Sequence, residues 1–455
     1  MRRRSLTGPI LIILVGGAFL IYNLRPDIPL FDLLAQYWPF LLIAWGTLRL
    51  LEVLLDYSRG GIQRRGFGGG EVTLIVFICF AGWSAYEANR HGVHFRPAWE
   101  AFGEHYDYNV SGQKPAGPAT RVVFQNDRGN LRIVGAADTT DIKVTGRKTI
   151  QALNQGEADR GNDSTPLEIV VQGDQVIVRT NQERNPTNGK ISEDLEVTIP
   201  ARMSVETHGN FGDYDITDLD GGVDLHSDRA DVRLSKIGAN ARVELGRSDL
   251  VRAVDLKGNL DLQGKGSDIE LENITGQVTI NGTYSGSLEF KNVAKPLHFE
   301  SPNTDLRVES LPGQISMDLG ELTGNNLVGP VHLVTKSKDV KIENFTQSLE
   351  LETERGDVEL EPSRLPLAKI EVRSQSGQID LVLPDKAGFQ LVANTDHGEA
   401  VNDFGPPIQK ETDGHSASLK GSVGQGPTIH LVTGRGTISV RKAGSESHEP
   451  DKAEL

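Results

Sequence analysis

A self-similarity that begins near residue 212 and recurs about every 18 residues constrains this chain more than any other feature. A rung can be written as Asp followed by apolar residues at +1, +3, +6, +10 and +12. Asp213 is followed by Tyr214, Ile216, Leu219, Val223 and Leu225, and Asp231 by Val232, Leu234, Ile237, Ala241 and Val243. Asp268 is followed by Ile269, Leu271, Ile274, Val278 and Ile280. Rungs from Ser287, Asp305 and Asp339 match all five positions, and one from Glu321 matches four. The starts at 213, 231, 249, 268, 287, 305, 321, 339, 357 and 378 are 16 to 21 residues apart. A fixed period of this size marks stacked repeats.

The +1/+3 and +10/+12 pairs have the period of two that a half-buried strand requires. Gly222, Gly258, Gly276, Gly313 and Gly329 fall between the pairs, where a tight corner wants a residue without side-chain constraint. Two such strands cannot form a core alone. Stacked on a neighbour, each rung buries about five apolar side chains, worth roughly 1.5–3 kcal/mol each before ordering entropy is subtracted. The expected fold is therefore all-β, a β-solenoid of about 18-residue rungs over 212–442. Antiparallel sandwiches also use many short strands but do not demand that register. A repeat array also accounts for 455 residues without one oversized core, and for the 50 glycines.

Residues 99–211 read as less regular β, with RVVF (121–124), NLRIVG (130–135), DIKVTG (141–146), PLEIVV (166–171), DQVIVRT (174–180) and DLEVTIP (194–200). This part is expected to cap the stack, since an exposed terminal rung leaves an open edge. The far end is expected to close with TIHLVTGRGTISVRK (428–442), ahead of a disordered acidic tail over 443–455.

The first 90 residues are of another kind. GPILIILVGGAFLIYNL (8–24) follows Arg2, Arg3 and Arg4, has no charge and is about long enough to cross the hydrocarbon. A signal peptide shares that start, but no small-x-small cleavage site follows. The runs 37–57 and 72–86 complete an expected three-helix transmembrane module that precedes the solenoid, making 1–90 a membrane anchor. Arg49 and Glu52, at i and i+3, share a helical face where they can pair with each other or snorkel to the surface. Basic residues at the N-terminus and at 59–65 place the N-terminus inside and the C-terminal domain outside, across a bacterial cytoplasmic membrane. If 72–86 only lies on the surface, that domain is cytoplasmic instead.

Charge narrows the partners. The net charge is −15, yet residues 1–65 hold eight Arg against four acids, so the body is more acidic still. That argues against nucleic acid. The lone Cys79 lies in an apolar run, so no internal disulfide forms. GGIQRRGFGGG (60–70) lacks the Lys-Ser/Thr ending of a phosphate loop.

The sharpest chemical candidate is a column of Asp213, Asp231, Asp249, Asp268, Asp305, Asp339 and Asp357 at equivalent rung positions. Rungs about 4.8 Å apart bring these carboxylates close. Each either caps its turn by accepting from a nearby backbone N–H, or the column holds a calcium ladder, although the nonapeptide of calcium β-rolls is missing. His208, His226, His298, His332, His397 and His430 have no metal-ligand spacing, and no GxSxG occurs. Arg233, Arg242, Arg252 and Lys257 read as the outward residues of alternating strands. No cofactor is expected.

Two resemblances follow from these residues. YWPFLLIAWGTLRLLE, behind its basic apolar hairpin, resembles the transmembrane region of bacterial LiaI/LiaF-type envelope-stress proteins over about residues 1–60. LEVTIPARMSVETHGNFGDYDI, the repeated Asp-apolar-x-apolar units and the final GRGTISV resemble a bacterial adhesin-like domain family of unknown function over roughly 120–442. Together they imply a non-enzymatic, membrane-anchored envelope protein that binds a wall polymer or another envelope protein. The competing readings are a structural or regulatory partner in an envelope-stress response and a polysaccharide lyase or hydrolase.

Overall fold

One rung shows how the pattern becomes structure. In strand Tyr214–Leu219 the side chains of Tyr214, Ile216 and Leu219 are buried, and in strand Val223–Arg229 those of Val223 and Leu225 are. Two residues separate Ile216 from Leu219, which would normally point Leu219 outward. Asp218 prevents this by taking a left-handed backbone, φ +59°, that swings Leu219 back into the core. The same step recurs at Lys236, Asp255, Asn273, Asn292 and Asn344, with φ between +52° and +58°. Asn and Asp tolerate this region better than other side-chain-bearing residues, which explains their place there; Lys236 pairs with Asp218, its counterpart in the preceding rung, at 3.2 Å.

The computed structural model describes Thr47 and residues 103–186, 190–362 and 364–444. Within them the rungs stack in two sheets. In the first, Ser204–Phe211, Val223–Arg229, the first part of Ala241–Leu256, the first part of Leu260–Ile274, Val278–Tyr284 and Leu297–Ser301 lie side by side and parallel. In the second, Tyr214–Leu219, Val232–Ile237, the remainders of the two long strands and Leu288–Val293 do the same. Facing residues such as Val223 and Ala241, or Ala241 and Leu260, fix the offset at 18 or 19 residues. One hydrophobic core, almost wholly aliphatic, runs between the sheets. At the corners the rungs nearly touch: a Cβ on Gly276 would lie 2.1 Å from the Gly258 carbonyl oxygen, so glycine is required there for close approach.

The stack is not unidirectional. After Leu297–Ser301 the chain reverses, and strand Thr304–Met317 runs antiparallel to both strands of the preceding rung. A second reversal makes Glu321–Asn325 and Val328–Ser337 antiparallel to it in turn. Parallel stacking then resumes through Asp339–Glu343, Leu349–Arg355, Val358–Glu361, Ile370–Ser374 and Ile379–Leu383. The rung that starts at Asp305 matches all five template positions, and Leu306, Val308, Leu311, Ile315 and Met317 are all buried. The template specifies which side chains enter the core but not the direction of the strand that carries them.

Each end departs from chain order. Strands Arg121–Gln125 and Leu131–Ala136 sit between the rung of Gln175–Arg179 and Ile191–Pro200 and the rung that begins at Ser204. Antiparallel strands Glu168–Gln172, Asp141–Ala152 and Glu104–Pro115 continue outward. At the other end, Thr428–Arg435 and Ile438–Lys442 insert between the rung of Ile370–Leu383 and the strands Phe389–His397 and Ala400–Asn402. The hairpin Ile408–Asp413 and Ser416–Val423 then forms the outer edge. The segment 428–442 is thus an inner layer, covered by Phe389–Asn402 and then the hairpin, contrary to the expectation that it closes the stack.

The expected fold class needs correction. Among the described residues from 103 on, the regular structure is β apart from the helix Gln155–Ser164 and a single 3-10 turn, and no helix among the described residues is long and apolar enough to cross a membrane. A three-helix module is not part of this architecture, which is that of a β-rich domain. The segments 8–24, 37–57 and 72–86, with Arg49 and Glu52, lie outside the described residues, as does the tail from 445.

Candidate functional site

The aspartates of the repeat work between rungs, not within one turn. Asp213 Oδ1 accepts from the amide of Asp231 at 3.2 Å, and Asp231 Oδ1 from the amides of Asp249 and Leu250 at 2.9 and 3.0 Å. Asp268 caps the Ser287 amide, Asp339 the Asp357 amide, and Asp357 the Gln378 amide. Each acid therefore satisfies a backbone donor on the next rung, where the corner has no ladder partner. Asn130, Asn240 and Asn259 do the same with their side-chain oxygens. Asp305 is not in the column, because its rung is inverted; it pairs with Arg307 at 2.8 Å and faces His298 at 3.2 Å. Among the described residues no three His, Cys, Asp or Glu side chains converge to hold a metal ion.

The outward face of the first sheet is different. The register aligns Gln125, His208, His226, Glu244 and Gln263 across five successive layers. The rings of His208 and His226 stack at 5.3 Å with 9° between their planes. Glu206 lies 2.8 Å from His208, and Asp224 and Glu244 lie 3.0 and 2.9 Å from the two nitrogens of His226. Burial alone would raise the Glu244 carboxyl, but the Arg242 guanidinium and His226 outweigh it and hold Glu244 below the usual carboxylate range. Arg121 bonds Glu206 at 3.1 Å from the neighbouring layer. Gln125, His208, His226, Glu244 and Gln263, with Asp127, Asn210 and Asp228, line an open groove of about 670 Å³ across the rungs. It offers flat ring faces, amide groups and carboxylates, the complement of an extended polar ligand, and it holds no nucleophile beside a base.

Comparison with known proteins settles the family. The Toastrack DUF4097 family model matches residues 130–441. The chain belongs to that family. Among solved structures, the Toastrack chain is similar to a suggested cell adhesion protein of Clostridium sporogenes ATCC 15579 at 9% identity, over 74% of this chain and 100% of that one, with a TM-score of 0.19. A suggested adhesin of Bacteroides fragilis NCTC 9343 is 12% identical over 74% and 97%, with a TM-score of 0.25. A suggested lipid-binding protein of Parabacteroides distasonis ATCC 8503 is 9% identical over 74% and 96%, with a TM-score of 0.19. No curated protein matches the chain.

The Toastrack domain also holds a buried ion pair near its N-terminal end. Lys148 Nζ lies 3.1 Å from Glu193, with the side chains 1% and 0% exposed. Lys148 also donates to the Thr165 carbonyl and hydroxyl, just past the helix Gln155–Ser164. Asn154 caps that helix by accepting from the Glu157 amide, and Glu157 reaches back to the Leu153 amide. Burial pushes the Glu193 carboxyl up to about 7 against the pull of Lys148.

The repeat pattern grouped Asp305 with the other aspartates, although its inverted rung takes it out of their column, and it did not show what the others bond. It also missed the histidine face. His208 and His226 stand 18 residues apart at one rung position, and His298 and His332 flank Arg307 in the adjacent column. Aligning rungs would have revealed the first pair; inversion of the Asp305 rung hides the second. Arg242 joins that face, whereas Arg252 is on the opposite sheet and pairs with Glu270 at 3.4 Å.

Proposed function

We propose that this Toastrack protein is a non-catalytic, adhesin-like binding protein of the bacterial envelope, with its apolar N-terminal region at the cytoplasmic membrane and its β-domain outside. The observation that carries the reading is the groove of Gln125, His208, His226, Glu244 and Gln263, whose polar groups repeat from rung to rung. An extended polymer with repeating hydrogen-bonding groups matches such a surface better than a compact metabolite does.

The test is cosedimentation of the full chain with purified peptidoglycan sacculi. His226→Ala with Gln263→Ala should cut the bound fraction several-fold without moving the urea midpoint, since both side chains face outward. Equal sedimentation of both proteins, or of neither, would remove the groove from the mechanism. Protease digestion of intact spheroplasts tests the placement: a protected β-domain is cytoplasmic, and the envelope reading fails.

A further inference from the structure

The corner that joins the first sheet to the second carries a second surface, separate from the histidine groove. Arg128, Phe211, Arg229 and Arg247 follow one another in register across four successive layers. Lys265 extends the line, lying between Gly264 and Gly266, which face Leu245 and Ser248 on either side of Arg247. Arg229, Arg247 and Lys265 are exposed, and Phe211 is 38% exposed. The Arg128 guanidinium sits 4.5 Å over the Phe211 ring. Among the described residues none of these three guanidinium groups has a carboxylate within 4.0 Å. Of the neighbouring acids, Asp213 and Asp231 bond the amides of the next rung.

Three unpaired guanidinium groups on an acidic protein need an explanation. Like charges about 4.8 Å apart on adjacent strands repel one another. The carboxylates of Asp213, Asp231 and Asp249 that face Arg229 and Arg247 stand more than 4.0 Å from either guanidinium and offset that repulsion only in part. Phe211, Arg229 and Arg247, with Asp213, Asp231 and Asp249 along the other wall, enclose a trough of about 370 Å³. We propose that this corner binds a linear anionic polysaccharide that runs along the stack. Guanidinium groups take carboxylate or sulfate groups in bidentate pairs, and the Phe211 ring offers a flat apolar face to a sugar ring. The width of the site selects the ligand. A polymer in single file meets the arginines, whereas a broad anionic surface such as a bilayer or a duplex also meets the net negative body and is repelled.

The experiment titrates the full chain with polygalacturonate at low and physiological salt. The matched arms are neutral dextran and vesicles rich in phosphatidylglycerol. Binding to polygalacturonate alone, weakening as salt rises, is expected. Arg229→Ala with Arg247→Ala should lower affinity by about tenfold or more, Arg229→Lys with Arg247→Lys should retain part of it, and Arg252→Ala on the opposite sheet should leave it unchanged. Unchanged urea midpoints confirm that the exposed replacements still fold. No binding at low salt, or equal binding by wild type and the double alanine variant, overturns the proposal. Stronger binding to the vesicles than to polygalacturonate overturns it too, in favour of a lipid surface.

Discussion

Among the described residues, Lys148 and Glu193 are the one buried ion pair. A carboxyl pushed up to about 7 by burial binds its proton more tightly than in the unfolded chain, where it titrates near 4.5. Below 4.5 the group is protonated in both states and its contribution is complete. Between 4.5 and 7 only the folded protein keeps the proton, so stability falls as pH rises through that window and levels off above it. Urea midpoints measured from pH 5 to 8 should decline for wild type and show a much flatter slope for Glu193→Gln. A slope unaffected by Glu193→Gln would assign the titration to another group. Removing only the cation, as in Lys148→Met, takes away the group that holds the Glu193 carboxyl down and should cost up to about 3–5 kcal/mol above pH 7, and less below it where the acid is already neutral.

At the scale of the strand and its corner, the aspartate ladder joins layers that the sheets alone leave open. Asp231 serves two amides, those of Asp249 and Leu250. Asp231→Ala strands both and should cost about 1–3 kcal/mol, whereas Asp231→Asn keeps the acceptor and most of the stability. Chemical denaturation of the two variants separates capping from charge: if they lose the same amount, the carboxylate and not the hydrogen bond matters. This ladder shows what the sequence discloses and what it does not. Burial at Tyr214, Ile216, Leu219, Val223 and Leu225 was readable, since alternation and period report which side chains leave water. The left-handed step at Asn273 was not, because apolar spacing carries no information about the backbone between two buried residues. Direction was equally hidden at Asp305: a strand buries the same alternate residues whether it runs up or down.

Over the whole molecule, the inverted rung Thr304–Met317 separates two parallel arrays that share one core. The polar face therefore changes character along its length. On one side are His208 and His226, and on the other His332 with Glu350 and His430 with Glu371. Neighbouring layers contribute most of each rung's contacts, so stability in such stacks is close to a sum over adjacent pairs. The last described strands break that simplicity, because Thr428–Lys442 lies inside the layer formed by Phe389–Asn402. During synthesis Phe389–Val423 leaves the ribosome first and has no surface to dock on until the following segment arrives. The final layers are therefore completed only after translation of this region ends, and an early stop is costlier than the number of missing residues suggests. A chain truncated after Pro427 should be cleaved rapidly throughout 384–427 in limited proteolysis, while rungs up to Leu383 stay protected; equal protection of 384–427 in both proteins would show that the outer layer holds without the one beneath it.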